Sequence, residues 1–112
     1  MCNGGEVVVL ITTPRGEAGR IAKHLVEKRL AACVNIVEGI TSYYWWEGKV
    51  NEDREDLLIV KTLRDVVEDL IREVKKIHPY TVPEVIALPI VEGNKDYLEW
   101  VRREVTGGGG GD

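Results

Sequence analysis

Apolar and polar positions change period several times along the chain, and each change marks an element. Residues 6–13, EVVVLITT, form a continuous apolar run rich in β-branched side chains, the pattern of a strand buried on both faces. Ala18, Ile21, Ala22, Leu25 and Val26 then recur at the three- and four-residue spacing of one helical face, and that helix is expected to end near Arg29. Thr13 is its expected cap and Pro14 its expected first-turn residue. Residues 31–46, AACVNIVEGITSYYWW, are β-branched and aromatic and predict one long strand, with Glu38 and Gly39 interrupting the pattern where a bulge or bend would sit. WEGKV, residues 46–50, reads as the reversal of a hairpin. The returning strand has a split character: residues 51–56 are polar on both faces and residues 57–60 apolar on both. The outer half of the hairpin is therefore expected to project beyond the core of a single subunit.

TLRD, residues 62–65, has the form of a capping box, with Thr62 as cap and Asp65 reaching back. The helix it opens carries an apolar stripe of Val66, Val67, Leu70, Ile71, Val74 and Ile77, while Lys75, Lys76 and His78 suit the negative end of its dipole. PEVIALPIV predicts a last strand and GNKDYLEWVRREV a last helix, capped by Asn94. The glycine-rich residues 107–112 read as a flexible tail, which leaves residues 1–106 as a single domain. The order β-α-β-β-α-β plus a terminal helix predicts an α+β, ferredoxin-like fold with an antiparallel sheet. Right-handed crossovers put both main helices on one face of that sheet and leave the other bare. The stretch SYYWWEG, residues 42–48, matters for that bare face. In a strand it places Ser42, Tyr44 and Trp46 on one side and Tyr43 and Trp45 on the other. A chain with three Trp, four Tyr and no Phe thus sets four of its seven aromatic residues on one projecting strand, which predicts that another subunit covers them.

Composition narrows the partners. The 112 residues are 44% hydrophobic and 30% charged, as expected of one globular domain. A net charge of −4, with basic and acidic residues interspersed, gives no basic stripe to track phosphates, so no nucleic-acid partner is expected. No apolar stretch approaches the length that crosses a bilayer, and the first residues lack a basic segment followed by an apolar run, so no membrane partner is expected and the predicted compartment is cytoplasmic. Cys2 and Cys33 have no spacing that suggests a disulfide framework; Cys33 is expected to be buried and inert and Cys2 loose. The chain has no Gln and only four Asn among many Glu, Lys and Arg, a thermostable type of composition.

The candidate chemistry lies in HPYTVPE, residues 78–84. Imidazole is the commonest divalent-metal ligand, which makes His78 a candidate metal ligand, with Glu84 as the carboxylate that would complete a site; the expected ion is Cu²⁺ or another divalent cation. The structural alternative is a His78 bonded to free carbonyls at the end of its helix, with Glu84 solvated or ion-paired. The two prolines make the segment a rigid connection. His24 reads as a surface residue beside the first helix's apolar stripe. No catalytic constellation stands out. Cys33 lies in an apolar run that disfavours a thiolate, and Gly16 and Gly19 lack the lysine and hydroxyl of a phosphate loop. The expectation is a protein that is not an enzyme and requires no cofactor.

RLAACVNI, TSYYWWEGK, IVKT, IHPYTVPEVIALPI and YLEWV, in this order and spacing, resemble the divalent-cation tolerance proteins of the CutA family over residues 7–105. The resemblance implies a ferredoxin-like fold, a homotrimer whose long hairpins pair between subunits, and a role in the response to metal ions, with copper binding in some members. Copper-binding members carry a cysteine at the end of the first strand and two histidines before the Pro-Tyr step. This chain has Ile11 at the first place and Ile77 and His78 at the pair, so only His78 matches. The architecture also resembles the trimeric PII signalling proteins, which implies an alternative as a small-ligand sensor using clefts between subunits. A non-catalytic trimer that presents its loops to other proteins is a further alternative.

Overall fold

In a computed structural model, residues 5–106 are described; Cys2 and the tail at 107–112 lie outside them. Strand β1 (Glu6–Pro14), helix α1 (Ala18–Glu27), strands β2 (Cys33–Trp46) and β3 (Lys49–Leu63), helix α2 (Val67–Ile77), strand β4 (Val85–Pro89) and helix α3 (Lys95–Val105) follow in the order the apolar pattern predicts. The sheet order is β2-β3-β1-β4, with every pairing antiparallel. This is an α+β fold, the ferredoxin-like βαββαβ arrangement with an added C-terminal helix.

Helices α1 and α2 cover one face of the sheet. Val7, Val9 and Ile11 of β1 and Leu58 and Val60 of β3 point into that layer against Ile21, Leu25, Leu70 and Val74. The intervening residues Val8, Leu10 and Thr12 face the other way and are half-buried. The apolar run of β1 therefore has two apolar faces, of which the chain fully buries only one. Helix α3 covers an end of the second face, where Leu63 packs with Val101 and Val105. Toward β4 the same face stays open, with Ile86 50% and Leu88 48% exposed.

Strands β2 and β3 form a hairpin that runs out to Trp46 opposite Lys49. Glu47 (φ 51°) and Gly48 (φ 78°) both lie in the left-handed region, the geometry of a two-residue turn whose twist matches the strands. The pairing register slips between Val37 and Ile40, and Gly39, at φ 75°, occupies the bulge that the sequence interruption predicts. The long hairpin gives the chain its extents of 48 × 26 × 22 Å.

Two predicted caps are replaced. Thr13 and Pro14 belong to β1, where they pair with Asp56 and Glu55, and α1 begins four residues later with no side-chain cap. Thr62 is buried in β3, and its hydroxyl donates to the Leu30 carbonyl at 2.8 Å. Thr62 thus sits within the strand ladder, before the residue that precedes the next turn, and caps nothing. Helix α2 is entered instead through a short 3-10 turn, Arg64–Val66, likewise without a side-chain cap. In both places the strand ladder continues further than a cap would allow. Asn94 does cap α3, accepting from the Asp96 backbone N–H at 3.0 Å.

Candidate functional site

His78 ends α2. Pro79 holds it in an extended conformation (φ −82°, ψ 140°), and the residue is 7% exposed. Its Nδ1 receives the Tyr80 backbone N–H at 3.0 Å. A backbone N–H can only donate, so Nδ1 carries the lone pair and Nε2 the proton, which goes to the Thr12 carbonyl at 2.8 Å. Both ring nitrogens are engaged within the chain, and metal ligation requires one of these bonds to be exchanged. Glu84 is exposed, and its Oε1 accepts from the Thr12 hydroxyl at 3.4 Å. Thr12 thus joins the two predicted ligands, His78 through its carbonyl and Glu84 through its hydroxyl. Ile11 is fully buried and Ile77 packs against the same core, so the other two positions of the trio serve the helix–sheet layer. Among the described residues, no group of three or more His, Cys, Asp or Glu is placed to hold a metal ion.

The network extends further. The Tyr80 hydroxyl donates to Glu55 Oε2 at 2.8 Å, and Glu55 is 6% exposed although it belongs to the segment read as polar on both faces. The Tyr80 and His78 rings lie 4.9 Å apart at 47°. Burial, and then the bond to Glu55, hold the Tyr80 hydroxyl well above the usual phenol range, so it remains a donor. Between the root of the hairpin and residues 79–84 lies a cavity of about 720 Å³. Ser42, Tyr44 and Trp46, the trio predicted to share a strand face, line it together with Glu55, which the register places on the same face of the hairpin, and Thr12, Tyr80 and Glu84 line it as well. The Tyr44 hydroxyl donates to Asp53, and this bond is the main cause that raises its pKa.

A second node braces the hairpin root. Asp56, 3% exposed, accepts from the backbone N–H groups of Gly16 (3.0 Å) and Gly39 (2.9 Å) and pairs with Arg15 Nε at 2.9 Å. The Gly16 bond, then the Gly39 bond, and the Arg15 charge hold its carboxyl below the usual range. Neither Glu55 nor Asp56 stands out in NEDREDLL. The one available signal was their position beside an apolar run and opposite the interrupted stretch at Glu38 and Gly39. Cys33 departs from expectation, being half-buried beside Tyr97, whose hydroxyl is pushed up by burial and then by that thiol. His24 also differs: it pairs with Glu73 of α2 at 2.7 Å and lowers that carboxyl.

Residues 7–104 match the family described as CutA1 divalent ion tolerance protein. The chain belongs to this family. A CutA divalent-cation tolerance protein of Thermus thermophilus is 61% identical over 103 residues, covering 91% of this chain and 99% of the relative. The chloroplastic CutA 1 of Oryza sativa is 56% identical over 86% of this chain, which spans 55% of that longer relative. The solved Thermus CutA1 structure superposes with a TM-score of 0.86 at 60% identity, covering 88% of this chain and 97% of that one. The solved structure of a protein described as the periplasmic divalent cation tolerance protein CutA of Archaeoglobus fulgidus reaches a TM-score of 0.86 at 46% identity, covering 89% of this chain and 98% of that one. The family match spans α1, β2, β3, α2, β4 and residues 78–84 in full, and all but one residue each of β1 and α3.

Proposed function

We propose that this CutA1 family member is a non-catalytic homotrimer, folded as one domain over residues 1–106, that binds divalent cations, copper among them, as part of tolerance to metal ions. It requires no resident cofactor. The observation that carries this reading is the convergence of Glu84 and His78 on Thr12, which sets a carboxylate and an imidazole on one residue of the cavity lining. With Ile11 and Ile77 apolar, the donor set is oxygen from Glu84 and the Thr12 hydroxyl, plus nitrogen from His78 through the Nδ1 lone pair once the Tyr80 N–H releases it. Cu²⁺ stands highest among divalent ions for such nitrogen and oxygen donors. Trimer formation is supported by two free sheet edges, β2 and β4, and by Tyr43 and Trp45 at 68% and 73% exposure on the projecting hairpin. The proposed compartment is the cytoplasm, and fractionation of the native cells checks it.

Native mass spectrometry with and without Cu²⁺ reads subunit number and bound ions together. Three chains and a whole number of copper ions per chain are expected. A stable folded monomer at micromolar concentration removes the trimer. Titration calorimetry on His78→Ala and Glu84→Ala then assigns the ligands, and isotherms identical to wild type remove those two residues from the metal site. One observation favours a second reading, as a small-ligand sensor: a cavity of about 720 Å³ lies within the range of sites that enclose small molecules.

A further inference from the structure

The cavity at the hairpin root has an unbalanced charge. Glu55 is 6% exposed, accepts one neutral hydrogen bond, from Tyr80, and makes no ion pair among the described residues. A carboxylate withdrawn from water in this way calls for a cation. Glu84 adds a second acid at the rim, and no Lys or Arg lines the cavity, which weighs against phosphates, carboxylates and other anions. Tyr43, Tyr44, Trp46 and Tyr80 give the lining four aromatic side chains, and apart from the two acids the other residues there are small polar or aliphatic ones. Such rings attract a cation through the negative charge of their faces and do so most strongly for large, weakly hydrated ammonium groups. A bare metal ion needs several hard ligands at about 2.0–2.6 Å and would fill a small part of this volume. We infer that the cavity is a receptor for a small organic cation, an alkyl- or quaternary ammonium, seated against Tyr44 and Trp46 with Glu55 as its counter-charge. The inference rests on the small-ligand reading above and is independent of metal binding.

Choline and its uncharged isostere 3,3-dimethylbutan-1-ol distinguish charge from shape. Each is titrated into the intact wild-type assembly with EDTA present and followed by calorimetry and by Trp fluorescence. Choline is expected to saturate at one per subunit and to bind at least about tenfold more tightly than the alcohol, as a desolvated ring–cation contact with a buried counter-charge implies. Glu55→Gln, which keeps an oxygen for the Tyr80 hydroxyl, is expected to erase that preference. Equal affinity for the two compounds, or no saturable choline binding, overturns the inference. So does a nucleotide that raises Tm where choline leaves it unchanged, although that result leaves the broader small-ligand reading standing. The comparison of compounds uses the unmodified protein, so it decides the matter even if Glu55→Gln fails to fold.

Discussion

Removing the His78 imidazole tests whether the network stands without metal. His78→Ala leaves the Thr12 carbonyl and the Tyr80 N–H without their partners. A buried polar group left unpaired costs about 1–3 kcal/mol. Thr12 is half-buried and Tyr80 36% exposed, so water recovers part of each bond, and the two together come to about 2–4 kcal/mol. For a chain of this size that lowers Tm by roughly 10–20 °C. Two further variants divide the effect. Asn has an acceptor oxygen near the place of Nδ1 and can recover the Tyr80 bond, whereas Gln has a donor near the place of Nε2 and can recover the Thr12 bond. Each is expected to lose about half as much as Ala. The assay is thermal unfolding followed by circular dichroism with EDTA present, so that no ion contributes. If His78→Ala melts within about 2 °C of wild type under chelation, a loss well below one bond's worth, the structural account of His78 is wrong.

Asp56 makes stability depend on pH. Its folded pKa lies below the unfolded value, so its contribution is present above the ordinary carboxylate range and is lost as pH falls through the folded value. Urea unfolding from pH 7 to pH 2 should show this acid limb in wild type and a flattened one in Asp56→Asn, and equal slopes would count against the assignment. Gly39→Ala should cost about 1–2 kcal/mol, because φ 75° puts a side chain in the left-handed region; the flexible end of Arg54, 3.0 Å from the added carbon, can move aside. A neutral result in urea unfolding would mean that the bulge relaxes. Leu25→Ala removes a fully buried side chain from the layer between α1 and the sheet and should cost about 2–5 kcal/mol by the same measurement. A loss below about 1 kcal/mol would show that this layer collapses around the gap.

The elements and their order were legible in the sequence because they rest on periodicity, which is local. The β-branched run of β1, the three-to-four spacing of α1 and α2, the interruption at Glu38 and Gly39, the Gly48 reversal and the Asn94 cap each involve residues a few positions apart. The pairing of Tyr44 with Trp46 on one strand face was legible for the same reason. Tertiary structure decided what depends on residues distant in sequence. Thr13 and Thr62 are plausible caps by spacing, but strand pairing with β3 holds the first and the Leu30 carbonyl takes the hydroxyl of the second. Glu55 and Asp56 read as exposed hairpin residues until Tyr80, 25 positions away, and Gly16, 40 positions away, fold onto them. His78 was legible as a residue with chemistry to offer. That both of its nitrogens are engaged follows from the Thr12 carbonyl, 66 residues earlier, and no local pattern encodes a contact across that separation.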